Sequence, residues 1–545
     1  MPGGLLNLVS YGNLNIIING NPSKTFFKTT YAKHTNFGLQ KFRIDFDGLR
    51  ILRLSEDSHF TFKVPRYADL LMDTYLVITL PTIWSPMIIK EDYAEEPLLI
   101  PYEFKWIENL GSQIIKKVKF MIGGQIIQEF TGQYLYNMVQ RDFSESKKKL
   151  FDQMTGNIPE LNDPANYSSR NGYYPNACYV PEVPYGGSEP SIRSKTLYIP
   201  LNIWSTLSSK MAIPLVSLQY NYFHIEVECR PIQELFVIRD VLSPGLLVSD
   251  QDENYIFPSD APYIKPDQNN PAFAFYRFLQ PPPITLKGDS TDVYLIKRSD
   301  WYSDIHLLST YCFLSEAEQK VFASKPQQYL IKEVHEEIFH SVVSSQRSKL
   351  NSIGLISSWM WFFQRTDVNL RNEWTNYTNW PYKEMPYPYT NVEGMYLKVS
   401  GQRHPENQRD IMNTWGLLLD GKIRENTMDA GVFNLVEKYV KTTGYSDSGL
   451  HCYNFCLSTD PFSYQSSGAI NLSKFSSIEF EYNIHTPPKD ISATVITLCG
   501  SESGSFIGTR DPKKLYEYTY NLHVMEERYN ILIFESGNAS LMFAR

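Results

Sequence analysis

Two stretches constrain this chain more than any others. From Phe223 to Arg230, the apolar Phe223, Ile225, Val227 and Cys229 alternate with His224, Glu226, Glu228 and Arg230. Late in the chain, Ile478, Phe480, Tyr482 and Ile484 alternate in the same way with Glu479, Glu481, Asn483 and His485. A period of two turns one face to a core and the other to water, so each stretch is predicted to be a half-buried β-strand. Each is expected to close a β-domain. A chain of 545 residues exceeds what one hydrophobic core usually organises, which fits two domains. The 37 Tyr and 31 Phe favour the pleated, half-buried surfaces of such domains.

The strands between are readable from the same alternation. Phe42, Ile44 and Phe46 form one set, Phe60, Phe62 and Val64 a second, and Tyr75 to Pro81 continues the pattern. In VKFMIGGQIIQEF, Gly123 and Gly124 separate two apolar runs and supply the positive φ angles of a tight hairpin turn. Ser144 to Met154 reads as a short helix, with Ser144 as N-cap and Gly156 ending it. Gly156 to Ser194 reads as a long loop, after which Leu197, Ile199, Leu201 and Ile203 resume the alternation. Residues 1–25 are predicted to be an irregular arm or a lone strand, and residues 26–236 the first β-domain. The eight prolines of 237–290 mark a connector or surface insert, leaving 291–545 for the second domain. There Asp292 to Ile296 and Tyr329 to Val343 read as strands, Ser315 to Glu318 as a capping box, and Arg365 to Asn391 as an aromatic loop. Lys398 to Gln402, with its Gly401, echoes the first-half hairpin and suggests two β-domains of one type, jelly rolls among the candidates.

Several kinds of chemistry are disfavoured. The formal net charge of −8, with no run of Lys or Arg longer than Lys147 to Lys149, argues against direct nucleic-acid binding. Six irregularly spaced cysteines point to a reducing compartment. The first positive side chain is Lys24, and no apolar run approaches the ~20 residues that span a bilayer, so neither an export leader nor an anchor is inferred. His335 and His340 are one residue too far apart for a zinc-protease helix face, and His451, Cys452 and Cys456 lack a second ligand pair. Gly500 to Gly504 lacks the central Ser of a nucleophile elbow and the Lys of a phosphate loop. The acid pairs Glu316 with Glu318 and Glu526 with Glu527 keep a carbohydrate-binding protein or glycosidase as a rival. No catalytic, cofactor or metal residue is expected. Sequons occur at Asn166, Asn376, Asn471 and Asn538, with the unmodified side chain favoured.

A family resemblance rests on particular residues. Gly3 to Leu6, Leu8 to Gly12, Asn21-Pro22, Thr25 to Lys28, Tyr31 and His34 to Phe37 follow one N-terminal pattern. Trp106 through Gly111 to Gly124, Tyr329 to Ile331, Gly401-Gln402, Pro461-Phe462, Gln465 to Gly468 and Asn471 to Phe475 extend the match. In these features the chain resembles the double jelly-roll major capsid proteins of nucleocytoplasmic large DNA viruses, of the giant, mimivirus-like kind. The resemblance implies an all-β fold of two consecutive eight-stranded antiparallel jelly rolls, with short helices and long surface loops. It implies no catalysis and no cofactor. It further implies homotrimers forming pseudo-hexagonal capsomers that tile an icosahedral shell, with neighbouring capsomers, minor capsid proteins and penton proteins as partners. The virion shell, assembled in the host cytoplasm, would be its location. The loops near Gly156 to Ser194 and Arg365 to Asn391 would crown the outside, and the N-terminal arm would lie beneath, toward minor capsid proteins or an inner membrane. A minor capsid paralogue is the other reading within the same resemblance.

Overall fold

The computed structural model describes residues 2–90, 98–177, 189–239, 263–282, 294–383, 389–392, 395–397, 408–446, 448–487 and 518–543. Two sandwiches follow one plan. The first holds β1 (Phe37–Asp45), β2 (Ser58–Lys63), β3 (Leu70–Thr79), β4 (Ile115–Ile122), β5 (Gln125–Thr131), β6 (Thr196–Pro200), β7 (Phe223–Cys229) and β8 (His306–Leu314). One sheet runs β1-β8-β3, with β6 and the short Ile213–Pro214 pairing β3; the other runs β2-β7-β4-β5. The second sandwich holds β9 (Gln327–Val342), β10 (Ser345–Lys349), β11 (Leu355–Arg365), β12 (Met412–Leu419), β13 (Lys422–Asp429), β14 (His451–Asn454), β15 (Ile478–Ile484), β16 (Tyr520–Glu535) and β17 (Asn538–Leu541). Its sheets run β9-β16-β11-β14 and β10-β15-β12-β13, with β17 pairing β16. In both sandwiches, therefore, a late strand (β8 or β16) enters between the first and third, and the alternating strand (β7 or β15) lies between the second strand and a hairpin.

The two alternating strands occupy equivalent places for a physical reason. Phe223, Ile225, Val227 and Cys229 are all buried, as are Ile478, Phe480, Tyr482 and Ile484, each large apolar side chain contributing about 2 kcal/mol of transfer free energy. Their outward neighbours meet opposite charges across the ladder: Lys119 reaches Glu226 at 3.4 Å, Lys116 reaches Glu228 at 3.0 Å, and Arg347 reaches Glu481 at 2.7 Å. Large rings fill the second interior, where Trp361 stacks on Trp415 at 4.6 Å and Trp359 meets Phe480 edge-on at 5.1 Å.

Hairpin geometry also repeats. Gly123 and Gly124 turn β4 into β5 with φ of 59° and 84°, both positive as a type I′ turn needs. A side chain at Gly123 would meet Asn221 at 2.6 Å. The hairpin in the equivalent position of the second sandwich joins β12 to β13 at Asp420-Gly421, with φ of 49° and 72°. There the Asp420 carboxylate accepts from the Ser476 N–H, the Ser476 hydroxyl and the Ser477 N–H at 2.7 to 2.9 Å, which holds its pKa below the usual carboxylate range. Lys398 to Gln402, with Gly401, lies outside the described residues.

The structure differs from the sequence reading in several places. The N-terminal segment forms short helices, α1 (Gly3–Val9) and α2 (Ile16–Asn19), not a strand. β8 starts beyond residue 291 yet pairs with β1 and β3, so the first sandwich ends at Leu314 and not near Phe236. Tyr294 to Ile296 is not a strand. The described part of the proline-rich insert is not a surface loop throughout: Phe275 and Phe278 are buried beside Phe104, which stacks on Phe236 at 4.7 Å, and Phe273 is buried beside Tyr102. Between the sandwiches' strands lie α3 (Gly132–Asp142), α4 (Glu145–Thr155) and α5 (Glu316–Ser324). Ser144 stands at the N-cap of α4, and Gly156 ends that helix with φ of 79°. Ser315 stands at the N-cap of α5 without a side-chain capping bond, and Glu316 instead pairs with Lys320 one turn on at 2.6 Å.

Candidate functional site

The densest polar chemistry lies where the two sandwiches meet, and α3 builds it. Thr131 opens this helix, its hydroxyl accepting from the Tyr134 N–H at 3.2 Å. Gly132 follows because a Cβ there would stand 1.9 Å from the Ser112 carbonyl oxygen. All of α3 except Gln140 is buried, against first-sandwich strands on one side and β11 and β16 on the other. Apolar contact is continuous across the junction, since Met360, Phe362, Cys452 and Met525 belong to the same core as Phe130, Leu135 and Val139.

At its C-terminal end α3 presents Arg141, 1% exposed. Its guanidinium donates to both carboxylate oxygens of Asp142 at 2.9 and 2.6 Å, to Glu527 at 2.8 Å and to the Ser358 hydroxyl at 3.3 Å. Glu527, from β16, also accepts from the Tyr134 hydroxyl at 2.9 Å and from Ser358 at 2.7 Å, while Thr459 donates to Asp142 at 2.6 Å. Burial alone would raise the Glu527 carboxyl, but Arg141 and Lys332 outweigh it and hold the pKa below its ordinary value. Burial likewise works against the Arg141 cation, and Asp142 with Glu527 reverses that, so it stays charged. At the other end of α3, Thr131 donates its N–H and hydroxyl to Glu336 of β9 at 2.9 to 3.0 Å, yet burial keeps the Glu336 pKa raised.

A second lock comes from the segment after β11. Arg365 forks onto Asp367 at 2.9 and 2.7 Å, Arg371 adds a contact at 2.8 Å, and these two cations hold Asp367 far below the usual range despite burial. So braced, the segment reaches the first sandwich. Asn372 donates to the carbonyls of Gln233 and Phe236 at 2.9 Å each, the Trp374 indole to that of Glu234 at 2.9 Å, and the Tyr377 hydroxyl to Asn137 at 2.9 Å. Arg230, the last residue of the alternating run, lies over the Trp374 ring at 4.1 Å. The sequence reading put this loop on the outer crown. Its first half, through Asn379, is instead packed inside.

The residues weighed for chemistry are dispersed. His335 and His340 lie on strand β9, not on a helix, and the Glu336 between them serves Thr131. Glu526 and Glu527 point to opposite faces of β16, Glu526 accepting from the Trp359 indole at 2.9 Å inside the second sandwich and Glu527 facing the seam. Cys452 and Cys456 are buried, with the Cys452 thiol pushed up to about 11 by burial. Among the described residues no group of three His, Cys, Asp or Glu side chains could hold a metal ion. The seam leaves a crevice of only about 20 Å³ beside Tyr136, Asn137 and Thr378, room for a water. Gly500 to Gly504 lies outside the described residues. Of the sequons, Asn166, Asn471 and Asn538 are exposed, whereas Asn376 is 2% exposed and its amide is engaged with Thr378 and Trp380. The sequence reading weighed Glu527 only as half of an acid pair and missed Arg141, Asp142 and Ser358, although Glu526-Glu527-Arg528 in the middle of an apolar strand was a visible signal of buried charge.

A third surface is the segment preceding β1. Nearly every residue from 2 to 36 is exposed, including Leu8, Leu14, Ile17, Ile18, Phe26 and Phe27. Among the described residues no helix is long and apolar enough to cross a membrane.

Two sandwiches of one sheet order, fused through a buried polar seam, define a structural double jelly-roll protein. The model of the major capsid protein N-terminus matches residues 25–264, and that of the large eukaryotic DNA virus major capsid protein matches residues 318–540. The major capsid protein of Phaeocystis pouchetii virus is 25% identical over 540 residues, covering 87% of this chain and 91% of that protein. Capsid protein 1 of Acanthamoeba polyphaga mimivirus is 30% identical over 248 residues, covering 45% of this chain and 37% of that protein. Among solved structures, the PBCV-1 virus capsid superposes with a TM-score of 0.60 at 17% identity, covering 96% of this chain and all of that one. The chain belongs to the family of large eukaryotic DNA virus major capsid proteins, and its role is structural, as a component of the virion capsid, rather than enzymatic.

Proposed function

We propose that three copies of this chain form a pseudo-hexagonal capsomer, and that these capsomers tile the icosahedral shell of a large DNA virus. One observation carries the reading: the two sandwiches share a sheet order, β1-β8-β3 with β2-β7-β4-β5 and β9-β16-β11 with β10-β15-β12-β13. Two like walls per chain make six per trimer. The seam supports this, because a shell wall must transmit force between its two halves without hinging, and a desolvated ionic cluster flanked by continuous apolar packing fixes their relative position.

In this reading the first roll comprises residues 26–314, with 237–290 an insert within it, and the second runs from 315 to 545. The segment 1–25 is an arm lying beneath the shell, toward minor capsid proteins or an inner membrane. Neighbouring capsomers and penton proteins complete the set of partners, and assembly takes place in the host cytoplasm. Obligate contacts within a trimer of this kind commonly bury ~2,000 Å² or more, whereas contacts between capsomers can be weak because each capsomer makes many at once. The test is the molar mass of the untagged protein by light scattering after size exclusion at two concentrations. A stable mass three times 63.1 kDa is expected, and a clean monomer would overturn the capsomer.

A further inference from the structure

The exposed segment before β1 carries a chemistry of its own. From residue 2 to Ser23 there is not one charged side chain, and then Lys24, Lys28 and Lys33 follow with no acidic residue before Asp45. The apolar side chains are not folded inward: Leu8 is 74% exposed, Ile17 83%, Ile18 84% and Phe27 98%. Among the described residues no ion pair engages Lys24, Lys28 or Lys33, whereas Lys41 and Arg43, just beyond, are paired with Asp73, Asp45 and Asp304. Aromatic rings are interleaved with these lysines, Phe26 and Phe27 between Lys24 and Lys28, and Tyr31 between Lys28 and Lys33.

We propose that this segment binds the surface of an anionic phospholipid bilayer, with Leu5 to Ile18 entering the headgroup boundary and Lys24, Lys28 and Lys33 meeting lipid phosphates. The charge distribution suits an anionic lipid surface. The whole chain carries −8, so the three unpaired lysines are a local reversal of sign beside the apolar patch. Short helices of four to seven residues cannot span a bilayer but can lie in its interface, where rings and lysines are the usual anchors. The inference rests on the shell reading for where this surface faces, and a capsomer would present three such segments together, multiplying a weak single attachment.

The test is flotation of the full-length, untagged protein with extruded vesicles of pure phosphatidylcholine, or with roughly one-third phosphatidylserine, at about 0.1 M salt. Binding to the anionic vesicles should exceed that to neutral ones on the order of 100-fold, each lysine contributing about fivefold. Lys24→Gln/Lys28→Gln/Lys33→Gln should lower it to the neutral level, and Ile17→Asp/Ile18→Asp should abolish it. Light scattering on the same samples separates this inference from the capsomer reading. A protein of unchanged assembled mass that stays unbound to both vesicles overturns the lipid site and leaves the capsomer standing. Equal, lysine-independent binding to both vesicles also overturns it. If Ile17→Asp/Ile18→Asp lowers the assembled mass, the segment covers a neighbouring copy instead.

Discussion

Replacing Arg141 with Met tests whether the seam makes the two sandwiches one mechanical unit. The substitution removes the guanidinium while keeping an unbranched side chain, and it leaves Asp142, Glu527 and the Ser358 hydroxyl without the cation that now lies within 2.6 to 3.3 Å of each. Removing one partner of a buried ion pair costs ~3–5 kcal/mol, and with Arg141 only 1% exposed water cannot make good the loss, so the upper half of that range is expected. Glu527→Gln alone should cost less, ~1.5–3 kcal/mol, because Asp142 still holds the guanidinium in place. The double variant should be more stable than the sum of the two singles predicts, by ~1–3 kcal/mol, since the two groups share one network. Calorimetry at fixed protein concentration should also show one transition for the wild type and two for Arg141→Met, as the sandwiches lose their coupling. A cost under about 1 kcal/mol, or additivity within about 0.5 kcal/mol, would refute the idea that this cluster couples the halves.

Other expectations follow from single residues. Burial, with Lys438 next in order, lowers the His451 pKa to about 3, so the unfolded chain binds a proton that the folded chain refuses as pH falls below about 6.5. Stability should therefore decline between pH 6.5 and 4.5 by about 2–3 kcal/mol from this residue, and His451→Phe, which keeps a ring against Trp361, should flatten that slope in urea titrations. Gly132→Ala would drive a methyl against the Ser112 and Ile115 carbonyls and should cost about 3 kcal/mol or more, read as lost soluble yield or a lowered melting temperature. Cys229, Cys312, Cys452 and Cys456 are buried and should resist a thiol reagent until urea is added, as followed by intact mass. If the chain is routed through a glycosylating compartment, peptide mapping should find Asn376 unmodified, since its amide is buried, while Asn166, Asn471 and Asn538 are accessible.

What could be read from the sequence was whatever is local. The two alternating strands, the Gly123-Gly124 turn and the helix ending at Gly156 are written in neighbouring residues, and a period of two or a positive φ needs no distant partner to be recognised. The end of the first sandwich was not local. Proline density suggested a stop, but β8 is defined by its ladder with β1, where Phe37 faces Leu314, and no pattern inside His306–Leu314 reveals that partner. The seam was hidden for the same reason, with Arg141 and Glu527 separated by 386 positions. The loop beginning at Arg365 misled through composition: Asn, Pro and Arg are common on surfaces, and only the contacts with Asp367 and the Gln233 to Phe236 backbone turn the segment inward.

The late entry of β8 and β16 sets the timing of synthesis. β1 and β3 emerge from the ribosome early but have no ladder between them until His306–Leu314 follows, which at ~5–20 residues per second is a wait on the order of 10 to 60 s. β9 and β11 wait in turn for Tyr520–Glu535. For that interval each nascent half exposes two unsatisfied strand edges, in a cell making many identical copies at once. A chain that closes each wall with a late strand is most at risk of pairing with its siblings while it is being made, and this gives a folding helper, or a slow rate of synthesis, its greatest effect there.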